Sequence, residues 1–141
     1  MINDILVESC ITNSQSLFKE LEGVFYPFGY TTKDNIKALP YYSYFENDFP
    51  DVKQVTERLV TCLINDLNNN EYSEIAICSL CSKIVDNITF DFLDIKVLSK
   101  NGISKDYVIL VDTNFKDYTF EVIEIIEYDG TIELFYNKNS L

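Results

Sequence analysis

Twenty-three carboxylates, ten tyrosines and four cysteines are the side chains that could do chemistry in this chain, and histidine is absent. With histidine go the usual general base, the commonest metal ligand and every Ser-His or Cys-His nucleophile. Carboxylate pairs such as Asp91 with Asp94, or Glu124 with Glu133, would serve as general acid and base if burial pushed their pKa values apart. Among 23 acids such neighbours arise by chance, so no catalytic residue is assigned. Cys78-Ser79-Leu80-Cys81 is a C-x-x-C, and with Cys10 and Cys62 it would supply four thiolates for zinc. A structural zinc site usually shows two such pairs at turns, whereas Cys10 and Cys62 are isolated. The pair also lacks the helix-opening context that lowers a thiol pKa in oxidoreductases. All four are read as ordinary buried cysteines, with no metal and no cofactor. The chain has no glycine-rich phosphate loop and no calcium loop.

The acids therefore matter as a field. Against eleven basic residues they give the 141-residue chain a net charge of −12. A field of this size repels nucleic acid and anionic lipid and steers basic proteins inward. A nucleic-acid binder needs a basic stripe, and here there is one arginine, Arg58, with scattered lysines. An apolar fraction of 47% and 24% charged residues place the chain among globular proteins. The opening residues lack a basic, then apolar, leader and no run approaches a membrane span. With few cysteines, a reducing cytoplasm is expected.

The elements that must position these groups read as α+β, one domain over 1–141, helical over about 1–87 and stranded over about 88–137. Residues 14–25 place Leu17, Leu21, Val24 and Phe25 on one helical face behind Thr12-Asn13-Ser14, a capping-type run. Residues 2–10 suit either helix or strand. Pro50-Asp51 opens a second helix with Val52, Val55, Leu59, Cys62, Leu63 and Leu67 on its apolar face, ended by Asn68-Asn69-Asn70. A third helix is expected over 72–86, with a strand as rival because of its β-branched residues, and Asp86-Asn87 as its stop. From Ile88 a four-stranded antiparallel meander is expected. A phase slip at Leu93 suggests a bulge, Asn101-Gly102 a turn, and Asp129-Gly130 a closing two-residue hairpin.

That hairpin would put Ile123, Ile125, Ile132, Leu134 and Tyr136 toward the core. Its other face would carry Val122, Glu124, Ile126, Tyr128, Glu133 and Phe135, an apolar strip with two carboxylates. A second aromatic segment runs from Phe25 to Phe49. Its Phe25, Phe28, Phe45 and Phe49 read as core lids, while Tyr41, Tyr42 and Tyr44, next to Glu46, Asp48 and Asp51, suit capture of Lys and Arg. The candidate binding residues are therefore Tyr41, Tyr42, Tyr44, Glu46, Asp48, Asp51, Glu124, Ile126, Tyr128, Glu133 and Phe135.

In size, charge and order of elements the chain resembles the immunity proteins of bacterial contact-dependent growth inhibition and related polymorphic toxin systems. The resemblance implies a cytoplasmic inhibitor, not an enzyme, that binds a basic toxin, commonly a nuclease domain, as a 1:1 complex. The charge argues against contact with nucleic acid or membrane, and a homodimer stays open. Alternatives of other classes are a cystatin-like or nuclear-transport-factor-like small-ligand domain, an acidic DNA mimic, and a plain structural subunit. A dry pocket lined by Phe and Tyr with converging carboxylates would favour the ligand-binding class.

Overall fold

The computed structural model describes residues 4–42 and 50–130, the side chains of Asp129 and Gly130 excepted. It is α+β, with two helices and six antiparallel strands. In chain order these are α1 (Ile5–Glu20), β1 (Phe28–Thr32), β2 (Ala38–Tyr41), α2 (Val52–Asn68), β3 (Glu74–Val85), β4 (Ile88–Ser99), β5 (Ser104–Asn114) and β6 (Thr119–Gly130). The strands line up as β2-β1-β3-β4-β5-β6. No described helix is long and apolar enough to cross a membrane.

Alternation along β3 decides the layering. Ala76 and Cys78 pack with Leu6, Val7, Cys10 and Phe18 of α1, whereas Ile75 and Ile77 pack with Leu59, Leu63 and Leu67 of α2. Successive strand residues point to opposite faces, so the helices lie on opposite sides of one sheet. The α1 core runs across the sheet through Phe28, Leu93, Ile95, Tyr107, Ile109 and Phe120. The α2 core stops at Leu98 of β4, so α2 covers only the β1 and β3 side of its face.

The second helix begins where expected. Asp51 is its N-cap in a reciprocal capping box with Gln54, Val55, Leu59, Leu63 and Leu67 are buried, and Asn69 ends it. The first helix starts earlier than its capping-type run suggests, because Asp4 accepts from Leu6 N at 2.8 Å and Val7 N at 3.3 Å. Thr12, Asn13 and Ser14 lie within it, and two of them turn their side chains to tertiary partners. Asn13 donates to the Tyr42 hydroxyl at 2.8 Å, and the Ser14 hydroxyl lies 3.3 Å from the Cys78 sulfur. Leu21 and Val24, expected on the buried face, follow the helix and are exposed.

Two expected boundaries are corrected. The segment expected as a third helix is β3, whose residues from Ile75 to Cys78 face a helix on each side and so hide their alternation. With β1 and β2 also below residue 87, the sheet has six strands, not four, and strands and helices interleave instead of splitting near 87. The Asp86-Asn87 stop is a two-residue hairpin turn between paired Val85 and Ile88, with φ of 52° and 66° as a type I′ turn requires. No bulge occurs at Leu93, since β4 pairs with β3 in one register from Ser99 to Ile88. The apolar positions change sides there: Phe92 shares the α2 side, and Leu93, Ile95 and Val97 face α1.

The shift of register lies instead between Leu110 and Val111 of β5, where Ile123 is the extra residue on β6. Asn101-Gly102 does turn the chain, with φ of 88° at Gly102. Asp129 and Gly130 continue β6 in register with Lys105 and Ser104, and residues 131–136 of the expected hairpin lie outside the described residues. Ile123 and Ile125, expected in the core, are 65% and 39% exposed.

Gly29 of β1 lets α2 approach the sheet. A Cβ there would lie 2.9 Å from Leu63 Cδ1 and 3.1 Å from the Ala76 carbonyl oxygen. We predict that Gly29→Ala destabilises the protein by about 1–3 kcal/mol through overpacking, and Leu63→Ala by about 2–5 kcal/mol through a cavity. Urea denaturation monitored by circular dichroism checks both.

Candidate functional site

Because α2 covers only part of its face, the sheet beyond β3 is left without a described helix on that side. Strand alternation puts Phe92, Asp94 and Lys96 of β4, Asp106, Val108, Leu110 and Asp112 of β5, and Glu121, Glu124, Ile126 and Tyr128 of β6 there. Phe92, Val108, Leu110 and Ile126 are half-buried, while Asp112, Glu121, Glu124 and Tyr128 are exposed. Apolar and acidic side chains share one surface.

Where this face meets α2, Lys96 sits between two carboxylates. The Lys96 ammonium is 3.5 Å from Asp94 Oδ1 and donates to Asp106 Oδ2, with both Lys96 and Asp94 side chains 13% exposed. Register explains the trio, since Lys96 pairs with Asp106 and Asp94 with Val108. The other oxygen of Asp106, Oδ1, is buried without a hydrogen-bond partner. Burial, with the Asp94 carboxyl beside it, raises the Asp106 pKa from an ordinary 3.8 to about 6, against the pull of Lys96. One ammonium between two carboxylates leaves the trio net negative when all are ionised.

A cleft of about 580 Å³ opens beside the trio. The connection after α1 supplies Val24, Phe25 and Pro27, the N-terminal half of α2 supplies Val52 and Val60, and Ser79, Cys81, Asp94 and Lys96 form part of the sheet wall. Farther along the face, Asp112 lies directly opposite Glu121, and Glu124 opposite Leu110. Like charges placed opposite each other on neighbouring strands cost stability. The described ion pairs, Lys96 with Asp94 and Asp106, and Lys105 with Glu127 at 2.6 Å, do not reach Asp112, Glu121 or Glu124.

The expected binding residues are divided by this geometry. Glu124, Ile126 and Tyr128 share the partly uncovered face on β6, at one edge of the sheet. Tyr41 belongs to β2 at the other edge, five strand spacings or about 24 Å away. The Tyr41 hydroxyl donates to Asp66 Oδ2 of α2 at 3.4 Å, and burial pushes its pKa to about 12. Tyr42 is exposed, but its hydroxyl accepts from Asn13 and its ring lies 6.0 Å from that of Phe28, on the α1 side. Asp51 is occupied as the α2 cap. Tyr44, Glu46, Asp48, Glu133 and Phe135 lie outside the described residues.

The other expected constellations separate as well. Asp91 faces the α1 side, accepting from Ser82 at 2.6 Å and Thr113 at 2.9 Å, and Asp94 faces the opposite side. Cys78 and Cys81, three apart on a strand, also point to opposite faces, so the C-x-x-C is not a chelating pair. Cys10 of α1 and Cys78 of β3 are buried in the core between that helix and the sheet, where burial raises the Cys10 thiol pKa well above its ordinary value. Cys62 and Cys81 are half-buried.

Sequence reasoning missed the trio and the cleft, although Leu93-Asp94-Ile95-Lys96-Val97 alternates cleanly. The missing information was register, which places Asp106 beside Lys96. On the α1 side, burial likewise raises the Glu74 pKa from 4.5 to about 7, with Asp4 adding to the rise and Lys105 opposing it. No family model, curated protein or solved structure matches the chain.

These two raised acids set a pH dependence. Their folded-state pKa values exceed the unfolded ones, so the folded protein holds more protons and the associated stability is lost as pH rises through about 6 to 7. Mutual repulsion of the remaining carboxylates acts with the same sign. The urea midpoint should fall between pH 4.5 and 7.5, and Asp106→Asn and Glu74→Gln should each flatten that fall. A midpoint rising through this interval contradicts the assignment.

Proposed function

We propose that this protein is a binding protein for a basic partner, of the immunity type that neutralises a toxin domain such as a nuclease, and that it has no catalysis of its own. One observation carries the reading: Asp112, Glu121 and Glu124 stand exposed among Val108, Leu110, Ile126 and Tyr128, with no cation among the described ion pairs. Such a surface is too charged for a core and too apolar to be only a solvated face. A partner's Lys or Arg would relieve the Asp112–Glu121 juxtaposition while its apolar side chains cover the rest. A nuclease surface is positive where it holds phosphate, so a protein of charge −12 is steered toward that surface and, once seated, blocks it. The apolar residues between the acids favour a protein surface over phosphate mimicry, in which acids alone would repeat.

The cleft supports a second reading. Its volume lies in the range of small-molecule sites, and its apolar walls meet polar groups at Asp94 and Lys96, as in a pocket for an amphiphile. Native mass spectrometry of protein isolated from its own cells distinguishes the two. The first reading expects a 1:1 complex with a basic protein, and the second a bound small molecule without one.

For the protein complex, the association rate should fall steeply as salt rises from ~10 mM to ~500 mM, because exposed charges are screened beyond ~10 Å at 0.1 M. Glu124→Lys should weaken the complex by on the order of 2–5 kcal/mol if the residue is central, with the circular dichroism unchanged. A salt-independent association rate, together with parental affinity of the variant, refutes the basic-partner reading.

A further inference from the structure

Resting on the basic-partner reading, we propose that the outer edge of β6 is the docking line, and that the partner adds a strand there with the pattern cation-apolar-apolar-cation. The two sheet edges differ in how they are protected. β2 is four residues long and contains Pro40, which has no N–H to donate, and both are devices that block strand addition. β6 is twelve residues long, pairs only with β5 among the described strands, and contains neither proline nor lysine. Beyond the register shift at Ile123 its pairing is regular from Glu124 to Gly130, which leaves a straight run of backbone for an incoming strand.

The occupant follows from charge. An added strand sets each side chain about 5 Å from the one opposite. Glu124 on one face and Glu127 on the other then call for Lys or Arg three positions apart. Between them, Ile125 at 39% exposure and half-buried Ile126 call for two apolar residues. Glu127 already holds Lys105, so the Glu124 position contributes more to selectivity. A second copy of the chain is a poor occupant, because β6 contains no Lys or Arg and self-pairing sets no cation opposite Glu124 or Glu127.

The test uses the full chain, isotopically labelled, and two peptides, Thr-Lys-Val-Ile-Lys-Thr and Thr-Glu-Val-Ile-Glu-Thr. Excess basic peptide should shift the amide resonances of residues 124–128 and slow the exchange of their outward-pointing amides at least about tenfold, while the acidic peptide does neither. The double variant Glu124→Lys/Glu127→Lys should reverse that preference. Either of two results overturns the proposal: no response of 124–128 to the basic peptide, or outward amides already protected in the free protein, which means the chain's own residues 131–141 or a second copy hold the edge. A basic protein partner that binds without perturbing these amides upholds the partner reading and overturns strand addition alone.

Discussion

The unequal cover of the two sheet faces is the constraint on which the rest of the structure depends. On one side α1 meets residues from five strands, from Phe28 on β1 to Phe120 on β6. On the other, Leu59, Leu63 and Leu67 of α2 pack on Tyr41, Gly29, Ile75, Ile77 and Leu98 and leave β5 and β6 outside their cluster. What remains of that side cannot be wholly apolar without promoting aggregation, nor wholly polar without unravelling the centre of the sheet. It carries instead an ion-paired centre, Lys96 with Asp94 and Asp106, beside the apolar Val108, Leu110 and Ile126.

Electrostatics and packing meet at that centre. Charges at this degree of burial persist when paired, and breaking such a pair from one side costs more than the pair contributes. Lys96 is therefore a positioning residue that holds two carboxylates on a partly uncovered face. Burial first, and the Asp94 carboxyl beside it second, raise the Asp106 pKa in spite of Lys96. Farther out, where water screens the acids, Asp112, Glu121 and Glu124 need no internal cation to remain ionised.

The legibility of the fold tracks how local its signals are. Asp51 and Gln54 make a capping box within four residues, so the start of α2 is readable directly. Asp4 caps α1 just as locally, but Thr12-Asn13-Ser14 offers a stronger-looking decoy whose side chains are used for tertiary contacts with Tyr42 and Cys78. In β3, cover on both faces removes the period-two signal, and the apolar residues then fit a helical spacing equally well. The turn residues Asp86-Asn87 were visible as a stop but not as a hairpin, because that role depends on what flanks them. The site was half legible: Glu124, Ile126 and Tyr128 share a face as alternation requires, whereas the Lys96–Asp106 pairing depends on register between strands.

The central claim is that the α2-side face of β4, β5 and β6 binds the partner. Methyl-resolved NMR of the protein titrated with its captured partner tests it most directly. The account predicts that Val108, Leu110 and Ile126 shift or broaden while Leu6, Val7 and Ile109, buried under α1, stay in place. Perturbation confined to the exposed surface of α1, with Val108, Leu110 and Ile126 unchanged, would contradict it.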